Sequence, residues 1–283
     1  METRTLSLPG VELVYDVHGS GGERPLVMIG QPMSADGFYA LASHLSDRTV
    51  ITYDPRGLGR SVRSDGIVTS APEVQASDLH ALVTELGGGP VDVLASSGGA
   101  VTALAWVAAF PDDIVTLVAH EPPLIGVLPD TEAAERGYDG FRRAYAERGW
   151  GAGMAAFIAY TSWSGEYTEE YFAQPAPDPA MFGMPTEDDG SRDDPLLSDR
   201  SLAVVRYHPD VDALRAAPTR VLLAVGEETG DTFTGRTARA TAELLGDEVV
   251  VFPGGHGGFA AEDGPWPGQA TAFAARLREV LGS

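Results

Sequence analysis

The chain alternates between short apolar runs and stretches in which apolar residues recur at helical spacing. Short runs rich in β-branched residues predict eight strands, at 3–8, 11–18, 26–29, 49–53, 91–95, 114–119, 220–225 and 249–252. Helical patterns occur at 37–45, 72–86, 100–110, 236–245 and 268–281. Most of the strands are continuously apolar, as expected when both faces of a sheet are covered. The pattern therefore predicts an α/β fold with a mostly parallel sheet and helices on both faces.

One segment, residues 124–217, departs from this alternation. It has helical patterns at 133–148, 153–163 and 169–172, then a polar stretch at 174–199 that is rich in Pro and Asp, and it has no strand pattern. We therefore expect a core formed by residues 1–123 and 218–283 and a mainly helical insertion formed by residues 124–217. A length of 283 residues is sufficient for one large α/β domain with such an insertion.

The strand predicted at 91–95 runs into a cluster of small residues, A-S-S-G-G at 95–99, and a helical pattern follows at once. A strand, a sharp turn and a helix with serine at the apex form a nucleophile elbow, whose usual motif is G-x-S-x-G. Small residues are needed two positions before and after the nucleophile because the two backbones approach closely there. This frame makes Ser97 the nucleophile, with alanine replacing the first glycine. The other frame, with Ser96 as nucleophile, would place bulky Leu94 at the crowded position.

Four motifs follow one another in the order found in the α/β-hydrolase superfamily, which the sequence resembles over nearly its full length. They are Gly30-Gln-Pro, Asp54-x-Arg-Gly-x-Gly, the Ser97 elbow and the Gly-Gly-His256 loop. The resemblance implies an eight-stranded α/β-hydrolase fold in which residues 124–217 form a cap after the sixth strand. We predict that the Asp54 motif is a structural turn, braced by Asp54 and Arg56.

A serine hydroxyl is a poor nucleophile unless a base lies within hydrogen-bond reach, and the base needs an orienting group. In this superfamily the chain order is Ser, acid, His. His256 follows the last predicted strand, and the glycines on both sides of it allow the backbone to turn sharply. We therefore predict that His256 is the general base.

The acid of the triad does not occupy its usual position. That position, three residues after a glycine that ends the seventh strand, holds Thr229, which cannot carry a negative charge. Two carboxylates are candidates: Glu121, directly after the sixth strand, and Asp231, two residues beyond Thr229. We prefer Glu121, since a glutamate after a buried strand costs free energy unless it has a partner. The alternative is that Glu121 has a structural role and forms an ion pair with an arginine. The His120-Glu121-Pro122 triplet also resembles zearalenone lactone hydrolases, in which the acid is a glutamate after strand six.

A tetrahedral intermediate needs two backbone N–H donors in an oxyanion hole. The residue after the nucleophile, Gly98, supplies one of them. Gln31 is the preferred source of the second, ahead of Met33, because Pro32 between them has no N–H.

Charge and composition narrow the possible functions. A formal net charge of -22 argues against nucleic acids and anionic membranes as partners. All 19 basic residues are arginine and cysteine is absent, which excludes Schiff-base, thiolate and disulfide chemistry. The six histidines are scattered, with no H-x-x-x-H or H-E-x-x-H pair, so we expect no metal and no cofactor. With no signal pattern and no long apolar span, we expect a cytoplasmic protein; the oligomeric state is left open.

Together these predictions describe a serine hydrolase that cleaves an ester or lactone of a hydrophobic small molecule. Aromatic residues are dense in the predicted cap, and we predict that Trp163 and Tyr167, with Met33, line an apolar pocket over Ser97. Two alternatives stay open. The same triad would also serve a C–C bond hydrolase, an acyltransferase or a thioesterase, and the fold would also serve a non-catalytic ligand-binding protein.

Overall fold

The computed structural model describes residues 1–263 and 266–282, and a single sheet forms its centre. The strands are, in chain order, β1 Glu2–Leu8, β2 Val11–His18, β3 Leu26–Gln31, β4 Val50–Tyr53, β5 Val62–Arg63, β6 Val91–Ser97, β7 Ile114–His120, β8 Arg220–Gly226 and β9 Val250–Phe252. Their order across the sheet is β1-β2-β4-β3-β6-β7-β8-β9, with β5 paired to β2. The pairs β1–β2, β2–β4 and β2–β5 are antiparallel, and the remaining pairs are parallel.

All eight predicted strands are present, so the mostly parallel sheet has the predicted organisation. The short strand β5 was not predicted. The helices of the described residues are α1 Tyr39–Ser43, α2 Pro72–Glu85, α3 Gly98–Ala109, α4 Thr131–Ser162, α5 Glu169–Phe172, α6 Leu202–Val205, α7 Val211–Ala216, α8 Phe233–Leu245 and α9 Ala270–Leu281. None of them is both long enough and apolar enough to cross a membrane.

The core lies on both faces of the sheet. Successive side chains of a strand point to opposite faces, and in β6 this sends Val93 into one cluster and Leu94 into the other. The first cluster contains buried residues of α2 and α3, and the second contains residues of α1 and α9. Because its central strands are covered on both sides, the sheet holds the carboxyl ends of β6 and β7 in fixed relative positions.

The connection between β7 and β8, residues 121–219, contains no strand in the part of the chain that the structure describes. Its longest element, α4, is interrupted at Gly149, whose φ of +83° is not helical. The break falls between the two helical patterns predicted at 133–148 and 153–163. An aromatic cluster forms the interior of this connection and includes Tyr138, Tyr160 and, from α8, Phe233.

The Asp54 motif after β4 forms a turn braced by hydrogen bonds. The carboxylate of Asp54 accepts hydrogen bonds from the backbone N–H groups of Ala35 and Arg60, both at 2.8 Å. The guanidinium of Arg56 donates to both oxygens of Asp78 on α2, at 2.6 and 2.5 Å, and both side chains are buried. These contacts tie the end of β4 to α2, in agreement with the structural role predicted for the motif.

Candidate active site

Ser97 ends β6 in a conformation that few non-glycine residues adopt, with φ of +56° and ψ of -130°. Helix α3 begins directly after it, at Gly98. A Cβ on Gly99 would lie 2.4 Å from the carbonyl oxygen of Ile29, and one on Gly98 would lie 2.8 Å from that of Gln31. The turn is therefore a sharp strand-to-helix elbow that only glycine fits at these two positions, as the A-S-S-G-G motif predicts.

Glu121 follows the neighbouring strand β7 and is the other non-glycine residue with positive φ, +52°, in the described residues. Strands β6 and β7 are parallel, with Ser96 paired to His120, so Ser97 and Glu121 follow the same edge of the sheet. The Glu121 side chain is fully buried. A strained backbone directly after each of two adjacent strands is typical of a functional site.

The Glu121 carboxylate accepts four hydrogen bonds. Oε2 accepts from His256 Nδ1 at 2.6 Å and from Thr234 Oγ1 at 2.7 Å. Oε1 accepts from the backbone N–H of Gly226 at 2.9 Å and from Thr229 Oγ1 at 2.5 Å. Burial opposes ionisation, but the hydrogen bond and charge of His256 outweigh it and hold the pKa of Glu121 well below its usual range. Glu121 is therefore a carboxylate, bound by neutral donors and one histidine.

His256 lies in the loop after β9, and its side chain is 44% exposed. Its Nδ1 is engaged by Glu121, which leaves Nε2 as the ring nitrogen available to a reacting group. His120, in contrast, is fully buried, and neither of its ring nitrogens has a hydrogen-bond partner. Burial lowers the pKa of His120 to about 4. His120 is therefore neutral near pH 7 and does not compete with His256 for the carboxylate as a cation.

His120, Glu121 and His256 have potential ligand atoms within 4.8 Å of one another, which is the spacing of a metal site. Four donors already occupy the four lone-pair positions of the Glu121 carboxylate. The Nδ1 of His256 points at that carboxylate rather than at a shared vacant position. The group is therefore organised as a hydrogen-bonded pair beside a neutral histidine.

A cavity of about 450 Å³ lies above the elbow and is lined by Ser97, His256, Gln31 and Gly98. No hydrogen bond joins Ser97 to His256 within the described residues; such contacts commonly tighten only when substrate binds. Gln31 pairs with Ser97 across β3 and β6, so the two predicted oxyanion donors flank the serine. The apolar part of the lining is Pro32, Pro123, Phe157, Ile158, Leu196, Val204, Val205, Phe233 and Trp266.

The structure places the three predicted pocket residues elsewhere and corrects that prediction. Tyr167 is buried inside the aromatic cluster, where its ring stacks on Tyr160 at 4.7 Å and its hydroxyl donates to the Tyr160 carbonyl. Trp163 packs against Tyr171, and Met33 packs against the core beside α1. None of the three lines the cavity. The aromatic residues of the β7–β8 connection form its interior, and Tyr138, Phe157 and Tyr160 of that cluster also line the cavity.

The alternative acid, Asp231, lies at the surface. Its side chain is 74% exposed and its carboxylate is 3.7 Å from Arg239. It makes no hydrogen bond to His256 within the described residues. Sequence reasoning missed that Thr229, at the usual acid position, and Thr234 both donate to Glu121. For Thr229, the presence of threonine at the usual acid position was the sequence feature that could have indicated this role. No feature of the sequence indicated it for Thr234.

Comparisons with known proteins agree with this fold. The chain is similar to the uncharacterized hydrolase YraK of Bacillus subtilis (strain 168), with 29% identity over 264 residues that cover 90% of this chain and 89% of the relative. Among solved structures it is similar to a thermophilic esterase from Thermogutta terrifontis, with a TM-score of 0.67, 20% identity and coverage of 100% and 98% of the two chains. It is also similar to a thioesterase domain from the curacin biosynthetic pathway, with a TM-score of 0.61, 18% identity and coverage of 100% and 99%.

These structural likenesses and the parallel sheet confirm the predicted α/β-hydrolase fold. The model of the alpha/beta hydrolase family matches residues 17–274, which is most of the chain. The chain therefore belongs to the alpha/beta hydrolase family.

Proposed function

We propose that this protein is a serine hydrolase that cleaves carboxylic esters or lactones of hydrophobic small molecules through an acyl-enzyme. One observation carries the proposal. The half-exposed His256 is held at 2.6 Å by the buried carboxylate of Glu121, and it lines the same cavity as Ser97 at its strained elbow. A histidine oriented in this way, beside an accessible serine, is the arrangement that activates a serine hydroxyl.

In the proposed reaction the Oγ of Ser97 attacks the carbonyl carbon while its proton passes to Nε2 of His256. Glu121 stabilises the resulting imidazolium through Nδ1, and the oxyanion accepts hydrogen bonds from the backbone N–H groups of Gln31 and Gly98. The intermediate then expels the alcohol, which takes its proton from His256, and leaves an acyl group on Ser97. A water molecule attacks that acyl group with His256 as base, and the carboxylic acid is released as the proton returns to Ser97.

The position of the acid after β7 supports a place among hydrolases of the zearalenone lactone hydrolase type. Such enzymes resemble this chain in carrying a glutamate after the sixth predicted strand, which is β7 in the structure. Here that glutamate lies within hydrogen-bond distance of the histidine. The resemblance favours lactones as well as open-chain esters among the substrates. A lactone would give an acyl-enzyme that retains its alcohol on the same molecule.

We also propose that residues 124–217 act as a cap over a core of residues 1–123 and 218–283. The cavity supports this division, because Phe157 and Ile158 of α4 line it together with Ser97 and His256 of the core segments. A volume of about 450 Å³ is in the range of sites for small molecules, roughly 300 to 1,000 Å³. The cap would then select the substrate, and the core would carry the chemistry.

A fluorophosphonate probe and a p-nitrophenyl ester test the proposed nucleophile. We expect a covalent adduct on Ser97 and ester turnover, both of which disappear in Ser97→Ala. The matched control is Ser96→Ala, which removes the neighbouring buried serine and keeps both signals. A protein that gives no adduct, or whose adduct survives Ser97→Ala, would rule out this mechanism. In labelled water that also contains an alcohol or amine acceptor, an acyl product that carries no ¹⁸O would indicate acyl transfer instead.

A further inference from the structure

The cavity over Ser97 lacks positive charge. Among its described lining residues, the carboxylate and imidazole side chains are those of Glu228 and His256, and no arginine is present. The chain has no lysine, so arginine is its only permanent side-chain cation. An anionic group that entered this cavity would therefore find no permanent counter-charge, and it would approach the Glu228 carboxylate.

The hydroxyl groups of the cavity also offer few protons. Thr161, Ser162 and Thr232 each donate to a backbone carbonyl three or four residues earlier, at 2.9, 2.6 and 3.0 Å. Thr229 and Thr234 donate to the buried carboxylate described above. A hydroxyl has one proton and two lone pairs. These side chains therefore present lone pairs to a ligand and have no proton left to donate.

Tyr138 and Ser201 follow the same rule. The Ser201 hydroxyl lies 2.9 Å from the Leu196 carbonyl, which can only accept, and 2.9 Å from the Tyr138 hydroxyl. Ser201 donates to the carbonyl, so Tyr138 donates to Ser201 and both protons are used.

We infer that the site takes substrates that are uncharged where they enter this cavity, that it accommodates an O–H or N–H donor there, and that it excludes carboxylate and phosphate groups. This inference rests on the proposed ester hydrolysis at Ser97. An anion has only acceptor atoms, so outside the proposed oxyanion hole the acceptor lone pairs of the wall cannot pair with it, and it stays costly to desolvate. The same reasoning excludes acyl groups that end in a carboxylate and favours hydroxylated or unsubstituted ones.

Three p-nitrophenyl esters with the same six-carbon acyl chain test this inference: the hexanoate, the 6-hydroxyhexanoate and the monoester of adipic acid. We expect kcat/KM for the adipate ester to be roughly 100-fold below that of the hexanoate, because its carboxylate loses hydration without gaining donors. The hydroxyl ester should stay within about threefold of the hexanoate. Because a desolvated charge is screened less than an exposed one, 0.5 M NaCl should narrow the adipate deficit without removing it.

One variant introduces the missing cation. Ser162 is exposed and is the last residue of α4, where a positive charge interacts favourably with the helix dipole. We expect Ser162→Arg to raise the ratio of kcat/KM for the adipate ester to kcat/KM for the hexanoate about tenfold. The matched control, Ser162→Gln, introduces a polar side chain without charge and should leave this ratio unchanged.

The possible outcomes separate this inference from the proposed function. If hexanoate and adipate esters are hydrolysed at equal kcat/KM, the hydrolase proposal stands and the charge selection is wrong. If neither ester is hydrolysed, the hydrolase proposal fails, and ligand binding then tests the charge selection. Calorimetry on Ser97→Ala would then compare methyl hexanoate with monomethyl adipate. Adipate binding within about threefold of hexanoate binding would overturn the inference, whereas much weaker adipate binding would support it.

Discussion

Two buried carboxylates in this molecule have opposite kinds of partner. Asp78 receives two hydrogen bonds from the guanidinium of Arg56, a permanent cation. Glu121 receives hydrogen bonds from two threonine hydroxyls and a backbone amide, and its remaining partner is His256. The charge of Asp78 is neutralised in the resting protein. The charge of Glu121 is stabilised without a permanent cation and is available to a histidine that becomes charged during the proposed reaction.

The comparison shows that burial of a carboxylate does not by itself indicate a functional site. Asp78 is also buried and hydrogen-bonded, yet it joins two structural elements. Its partner Arg56 does not line the cavity, whereas His256, the partner of Glu121, does. The ion pair with an arginine that the sequence left open for Glu121 exists at Asp78 instead. The type of partner therefore distinguishes the two carboxylates. Asp78 pairs with a permanent cation and has a structural role, whereas Glu121 pairs with a titratable histidine and belongs to the proposed triad.

The same amide substitution at the two sites gives the largest expected difference. In Glu121→Gln, a side-chain amide replaces the carboxylate next to Nδ1, so the histidine is held in the wrong tautomer and its imidazolium is not stabilised. We expect kcat for a p-nitrophenyl ester to fall about 10⁴-fold, while circular dichroism shows a folded protein. A kcat within tenfold of the wild type would mean that Glu121 is not the triad acid.

Asp78→Asn should change stability rather than turnover. The substitution leaves the Arg56 guanidinium buried opposite a neutral amide, and breaking a buried ion pair in this way costs about 3 kcal/mol. Urea titration measures this loss, and kcat of the folded variant should stay within about threefold of the wild type. If kcat falls as far as in Glu121→Gln, the two carboxylates do not differ in the way described.

The sequence predicted the sheet well because each strand carries its signal locally. Continuous apolar runs such as those of β6 and β7 need no distant information. Strand β5 escaped prediction because it has two residues in a polar loop. The short helices α6 and α7, of four and six residues, were also missed, whereas the four-residue helix α5 was predicted at 169–172. The break in α4 at Gly149 was anticipated only as a gap between two helical patterns.

The residues of the candidate site also differ in whether the local sequence indicates their role. Ser97 and His256 lie in glycine-rich motifs that can be recognised locally, and Glu121 was proposed from the cost of burying a carboxylate. Thr234 is 113 residues from Glu121 in the chain, and the geometry between β8 and α8 that brings it there has no local signal. Tyr167 was placed in the pocket because aromatic density looks alike in a core and in a pocket wall.

The pH dependence of stability is a further difference between wild type and Glu121→Gln. The pKa of Glu121 is lower in the folded protein than its usual value of 4.5. Its carboxylate therefore contributes stability above pH 4.5, and this contribution is lost as the pH falls below 4.5 towards the folded-state pKa. We expect the wild type to exceed the variant in free energy of unfolding at pH 7 and this gap to narrow by pH 3. A gap that widens towards pH 3 in urea titrations would contradict the lowered pKa.

Thr229→Val tests whether the neutral donors around Glu121 matter to the reaction. Valine has nearly the shape of threonine but removes the hydroxyl that donates to Oε1 at 2.5 Å. Loss of one hydrogen bond to a buried carboxylate should lower kcat/KM about tenfold. Thr229→Ser keeps the hydroxyl and serves as the control, with kcat/KM within about threefold of the wild type. Equal losses in both variants would mean that the methyl group, and not the hydrogen bond, is needed.

Asp231→Asn should have the smallest effect, and it decides between the two candidate acids. Asp231 is mostly exposed and faces Arg239 at 3.7 Å, and exposed pairs of this kind contribute about 0 to 1 kcal/mol. We expect kcat within about twofold of the wild type, and the double variant with Glu121→Gln should be no slower than Glu121→Gln alone. If Asp231→Asn instead lowers kcat more than 100-fold, the loop must move so that Asp231 reaches His256 in solution. Glu121 would then be a buried carboxylate with a structural role, like Asp78, and the type of partner would no longer separate the two.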